Sequence, residues 1–158
     1  MARKQTSGRV QRVIGGAREF SFGTVMFHHE VAEILGVNVT DMECLALIVY
    51  RGVASPSELT RYTGLSSGAT TAMLDRLERS RLIQRRPNPQ DRRGTLIFLT
   101  DDATDSLGEL FGPLREAAGR LLTSYGADEL DLLADFFDRI AVVWSEEREK
   151  LRRIPASE

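Results

Sequence analysis

The sequence predicts a mainly α-helical chain interrupted by one short β-hairpin, and three observations carry that reading. Apolar residues recur at helical spacing over most of the 158 residues. Serine, threonine and glycine fall where such helices would begin and end. One segment, residues 82–99, changes to two short apolar runs around a turn-rich centre, "PNPQDRRG".

The elements follow in order. Phe20, Phe22, Val25, Met26, Val31, Ile34 and Leu35 suit a first helix, firm from Ala17 and open in its N-terminal extent, with Gly36 as its C′ residue. In "TDMECLALIVYRG", Thr40 and Glu43 read as a capping box, and Cys44, Leu47 and Ile48 face inward before Gly52. "SPSELTRYTG" repeats that grammar: Ser55 caps, Pro56 takes N1, and Glu58 completes the box. Ser66 caps the next helix, whose apolar stripe reads Ala69, Met73, Leu74 and Leu77. "LIQRR" and "TLIFL" are two strands, with Pro87 to Gly94 as their connection. Thr100 then caps a long helix with Asp101 and Asp102 at its positive end, and Pro113 predicts a kink within it. A last helix carries Leu130, Leu133, Phe137, Ile140, Val143 and Trp144.

Three short helices, the last two joined by the tight "TGLS" turn, describe a helix-turn-helix, and the hairpin makes it a winged helix. The flanking helices carry more apolar surface than a winged helix of that size covers. They are expected to pack together and against a second copy. The expected organisation is therefore residues 37–100 as a winged helix-turn-helix DNA-binding domain, with residues 1–36 and 101–158 as a helical dimerisation region.

Charge is segregated. Between Arg76 and Arg93 seven arginines face two acids, an excess of five, whereas residues 101–158 hold fourteen acids and seven basic residues. A basic middle suits a polyanion. In a helix-turn-helix the second helix offers its N-terminal side chains to the major groove of double-stranded DNA. Here those are Ser66, Ser67, Gly68, Thr70 and Thr71, small enough for close approach, with Arg76 further along in reach of phosphate. Arg92 and Arg93 sit on the hairpin tip, where a rigid, protruding arginine suits a narrow minor groove. Asp91 is placed to orient one of them, and Arg85 in the first strand adds a phosphate contact.

The stretch from Thr40 to Thr100 resembles the multiple antibiotic resistance regulator (MarR) family. The D-x-R-x-x-x-x-x-L-T signature stands as Asp91, Arg93, Leu99 and Thr100, and "LDRLERSRLIQRR" is similar to the family's recognition-helix end and first wing strand. The resemblance implies a homodimeric transcriptional regulator, usually a repressor, on a pseudo-palindromic operator. It also implies a ligand pocket between winged helix and dimerisation helices. For that pocket we expect Phe22, Met26 and His29, beside the start of the fifth helix, to hold a small-molecule effector. Two positions depart from the family pattern: Arg81 replaces the glycine before the wing, and "DDA" replaces the glycine after the signature threonine.

Other chemistry is not expected. His28 and His29 point about 100° apart on a helix and cannot easily share a metal. The lone Cys44 lies among apolar residues, as a buried, inert thiol does, and forms no internal disulfide. No phosphate loop, nucleophile elbow or Cys–His pair suggests an enzyme, and no cofactor is expected. No apolar run approaches the roughly 18 residues a membrane span needs, and the basic N-terminus lacks an apolar leader core, so a cytoplasmic protein without membrane partners is expected. The competing reading is a winged helix used as a protein-interaction module without specific DNA binding.

Overall fold

The computed structural model describes residues 2–154, without the side chains of residues 2–6, 92 and 93. Six helices and one hairpin follow in the order α1 (Ala2–Leu35), α2 (Val39–Arg51), α3 (Pro56–Thr63), α4 (Ser67–Arg79), β1 (Ile83–Asn88), β2 (Asp91–Leu99), α5 (Asp101–Leu122) and α6 (Ala127–Leu151). The mainly helical class and the single antiparallel hairpin match the sequence-based expectation. Contacts divide the chain into two compact units, Met1–Leu110 and Phe111–Glu158.

Helix α1 extends well beyond the expected start at Ala17, through Gly8, Gly15 and Gly16. Each such glycine is about 1 kcal/mol less favourable in a helix than alanine. Its N-terminal half is exposed from residue 7 to residue 26, whereas Val31 and Ala32 are buried. Gly36 ends it at φ 65°, and the Val37 N–H reaches back to the Ala32 carbonyl at 2.9 Å. Glycine adopts that left-handed turn without a Cβ clash.

The second helix starts earlier than Thr40. Asn38 is its cap, and the Asn38 Oδ1 accepts the Asp41 N–H at 2.9 Å. Asparagine ranks above threonine as a cap. Glu43 does not reach back as the expected box required; it meets Nδ1 of His28 at 2.9 Å, tying α2 to α1. At α3 the expected box is present: Glu58 accepts the Ser55 N–H at 2.8 Å, and the Ser55 hydroxyl accepts from Glu58 N–H.

The core of this unit is apolar and closed. Met42, Cys44, Leu45 and Ile48 of α2, Leu59 of α3, Met73, Leu74 and Leu77 of α4, Ile83 of β1 and Ile97 of β2 are all buried. Ala54, between α2 and α3, exchanges two backbone bonds with Ile97, at 2.7 and 3.1 Å, and so covers one edge of β2. Thr100 closes the wing: its hydroxyl donates to the Arg81 carbonyl at 2.7 Å and accepts the Ala103 N–H at 3.1 Å as the cap of α5. Ala103 and Leu107 of α5 are buried. Pro113 lies inside α5, which continues to Leu122.

The second unit is different in kind. Helix α6 contains no buried residue, and Leu121, Leu132, Val143 and Trp144 are among its unit's exposed large apolar side chains. No helix among the described residues is long and apolar enough to cross a membrane.

Candidate nucleic-acid interface

Helix α4 is built for display on one side and anchorage on the other. Ser66 caps it by accepting the Ala69 N–H at 3.2 Å. The helical geometry leaves the N–H groups of Ser67 and Gly68 without intrahelical acceptors, at the positive end of the helix dipole. Ser67, Gly68, Thr71 and Ala72 are exposed, and nothing lies within 4 Å of where a Cβ on Gly68 would stand. The exposed face is thus lined by small side chains that allow close approach of a groove edge. Ala72 and Asp75 complete it and were not anticipated, although their spacing of four and seven residues from Gly68 places them on that face.

Thr70 departs from the expectation. It is only 2% exposed and its hydroxyl accepts from Thr60 at 3.0 Å, so it belongs to the packed side with Met73, Leu74 and Leu77. The stripe reads Thr70, Met73, Leu74 and Leu77, whereas Ala69, assigned to it from sequence, is exposed. Spacing of three, four and seven residues marked the threonine as an inward position. Its polarity hid it.

Two of the expected phosphate-binding arginines are engaged within the chain. Arg76 donates through Nε to Oδ2 of Asp41 at 2.8 Å and through Nη2 to Oδ1 at 2.6 Å, a bidentate fork on a carboxylate that is 1% exposed. Hydrogen bonding to Asp41, followed by its charge, raises the Arg76 pKa above its ordinary value. Arg85 donates to Glu78 at 2.9 Å and Asp75 at 2.7 Å, which fastens the first wing strand to α4 and offsets one of the two negative charges there. Arg86, one residue on, is exposed and lies over the Phe98 ring at 4.9 Å.

The wing is more ordered than a loose connection. Pairing continues to Asn88 opposite Asp91, so Pro89 and Gln90 alone form the turn, and the Gln90 N–H bonds the Asn88 side chain at 2.9 Å. The next pair is Pro87 opposite Thr95, so Arg92, Arg93 and Gly94 form a bulge with no opposing residues. Such bulges bend a strand and re-aim its side chains. Gly94 does not turn the chain by a positive φ. A Cβ there would stand 3.1 Å from Cβ of Asn88, so any other residue needs that neighbour to give by a few tenths of an ångström. The side chains of Arg92 and Arg93 lie outside the described residues, so the expected pairing with Asp91, itself exposed, falls there too.

Phe22, Met26 and His29 share one face of α1 and are exposed, while neighbouring His28 turns to Glu43. Cys44 is fully buried, and burial, with the charge of Asp41, pushes its thiol up to about 12. No group of three or more metal-ligating side chains is assembled among the described residues.

A capped recognition helix with a small-residue face, followed by a bulged arginine wing, can now be set beside known proteins. The MarR family model matches residues 37–95, the span of α2 to the wing tip. The uncharacterized HTH-type transcriptional regulator YcgE of Bacillus subtilis (strain 168) is 34% identical over 136 residues, covering 86% of this chain and 88% of that protein. The apo structure of wild-type MarR from E. coli superposes with a TM-score of 0.50 at 26% identity, over 82% of this chain and 93% of that one. NadR, solved in complex with 4-hydroxyphenylacetate, shares the fold at a TM-score of 0.61 and 17% identity, over 80% and 89% of the two chains. A relative this similar along nearly its whole length, with the family's pattern matched from α2 to the wing tip, places the chain in the MarR family of helix-turn-helix transcriptional regulators.

Proposed function

We propose that this regulator binds a pseudo-palindromic DNA site as a homodimer, represses from it, and is released by a small-molecule effector. The observation that carries the reading is the exposed face of α4. Ser67, Gly68, Thr71 and Ala72 offer a groove-sized approach beside a bulge that holds Arg92 and Arg93. Ser66 supports that approach as the helix cap, and Asp91 at the turn stands ready to orient a wing arginine.

Dimerisation rests on the apolar side chains that one chain leaves uncovered in α1, α5 and α6, among them Val25, Leu121 and Trp144. In this reading the segments 1–36 and 101–158 serve as the dimerisation region and bring two winged helices of residues 37–100 to half-sites about 34 Å apart. An effector lodged beside Phe22, Met26 and His29 would act by changing that spacing, because both half-sites must be met together. The NadR complex offers the precedent of a small aromatic acid held by this fold.

The test is a fluorescence-anisotropy titration with DNA from upstream of the protein's own gene and with DNA selected from a random library. Salt is varied, and an Arg92→Ala/Arg93→Ala variant is run alongside. Binding should weaken steeply with salt by counterion release, and the variant should lose at least ten-fold in affinity and reduce the salt slope by about two. Salt-insensitive binding, or a variant that binds like the wild type, would remove the wing from the reading.

A further inference from the structure

Among the described residues, Asp41 is the one buried carboxylate, and the reading above gives it no part. Its partner Arg76 lies 35 residues away, in the last turn of α4. Burying a paired carboxylate is weak evidence for stability, because its desolvation costs several kcal/mol and an apolar pair of similar volume serves as well. Geometry is what an apolar pair does not supply. A planar guanidinium gripping a carboxylate through two parallel bonds fixes both direction and distance.

The remaining anchorage of α4 is less directional. Met73, Leu74 and Leu77 form an apolar stripe, which tolerates small rotations and slides, since burial energy depends on area rather than angle. The Arg85 clamp closes on two carboxylates, Asp75 and Glu78, that both face solvent, and pairs whose acids are solvated hold their geometry weakly. Only the Thr60–Thr70 hydrogen bond and the Asp41–Arg76 fork end on a buried partner, Thr70 in the one and the Asp41 carboxylate in the other, and both are directional. The fork joins α4 to the first turn of α2, and that turn is itself held by the Asn38 cap on the Asp41 N–H.

We propose that Asp41 and Arg76 are positioning residues for DNA reading: the fork sets the rotation and register of the recognition helix, so that Ser67, Gly68, Thr71 and Ala72 meet base edges correctly. This rests on the proposed DNA-binding role. Arg76, with Asp41 neutralising it, then acts through the helix and contributes little to phosphate binding. Sequence discrimination should depend on the fork, while non-specific affinity should not.

The experiment compares binding to a duplex selected from random DNA by the wild-type protein with binding to an unselected duplex, each across a salt series. The wild type must first prefer the selected duplex; if selection enriches nothing, the DNA-binding reading itself falls, and this proposal with it. In Asp41→Leu/Arg76→Met, which substitutes an apolar pair, helicity and affinity for the unselected duplex should be kept. The preference for the selected duplex should fall ten-fold or more. In Arg76→Lys, which keeps the charge but not the fork, the preference should fall likewise with an unchanged salt slope. Preference retained within two-fold in both variants would overturn the proposal and leave the pair a packing feature. A fall in affinity for both duplexes alike, with the salt slope of the double variant reduced by about one, would overturn it in favour of a phosphate contact. If the double variant fails to fold, the lysine variant decides alone.

Discussion

The winged helix and the last helix of this chain obey opposite rules. In the first, every element hides its apolar stripe: Leu45, Ile48, Leu59, Leu77 and Ile97 are all at or near zero exposure. In α6 the stripe is as long, yet no residue is buried and Trp144 stands 61% exposed. Hydrophobic content does not separate the two regions. On the proposed homodimer, what separates them is whether one copy of the chain supplies both sides of the interface. A region completed within the chain has a stability of its own, and a region completed by a partner has a stability that depends on concentration.

The largest effect should come from breaking assembly. Val143→Asp/Trp144→Asp places two charges on the uncovered face of α6. Analytical ultracentrifugation should show the dimer replaced by monomer. Affinity for a two-half-site duplex should fall by a hundred-fold or more, because a lone winged helix keeps only one half-site. The circular dichroism of the winged helix should persist. A double variant that stays dimeric would move the interface away from α6.

Next in size is a truncation made on both sides of the comparison. Leu45→Ala deletes a fully buried side chain, and losses of about 2–5 kcal/mol accompany such cavities. The loss should be the same in the monomeric background. Leu132→Ala, at a position 69% exposed in one chain, should cost under about 0.5 kcal/mol in that background, as surface changes do. In the dimer it should cost more, by an amount that grows with protein concentration until both proteins are fully dimeric. Chemical denaturation at two concentrations separates these cases. Equal losses for Leu132→Ala in both backgrounds would mean that α6 packs within its own chain.

How much of this was legible in the sequence follows the same division between local and distant partners. The cap at Ser55 with Pro56 and Glu58 could be read directly, since all its partners lie within three residues. The same was true of the glycine stops at Gly36 and Gly52. The box expected at Thr40 failed because Glu43 answers to His28, fifteen positions back on another helix. Arg76 and Arg85 were read as DNA contacts because their charges are local facts, whereas their carboxylate partners are tertiary ones. Thr70 was assigned by its hydroxyl when its spacing was the better guide. In the wing, the turn-rich stretch marked where the chain reverses, but Pro87 and Gly94 lie within the strands and only Pro89 and Gln90 make the turn. The bulge that carries Arg92 and Arg93 depends on a register shift that composition does not encode.

The smallest effect concerns the junction of α4 with the wing, where the otherwise complete region holds one strained residue. Arg81 is the only described non-glycine residue with positive φ, at 58°. The turn it makes is well bonded: its N–H reaches the Glu78 carbonyl at 2.9 Å and the Leu82 N–H reaches Leu77 at 3.0 Å. A left-handed conformation costs a residue with a Cβ about 1 kcal/mol, and glycine avoids that cost while gaining freedom in the unfolded chain. The first term should exceed the second here, because the turn is fixed by bonds on both sides and by the Thr100 hydroxyl on the Arg81 carbonyl. Arg81→Gly should therefore raise stability by about 0.5–1 kcal/mol, or a few degrees in Tm at fixed protein concentration. Arg81→Ala removes the same charge and keeps the Cβ, so it should gain nothing. If the two variants melt together, the gain belongs to charge rather than backbone, and the turn carries no strain for glycine to relieve.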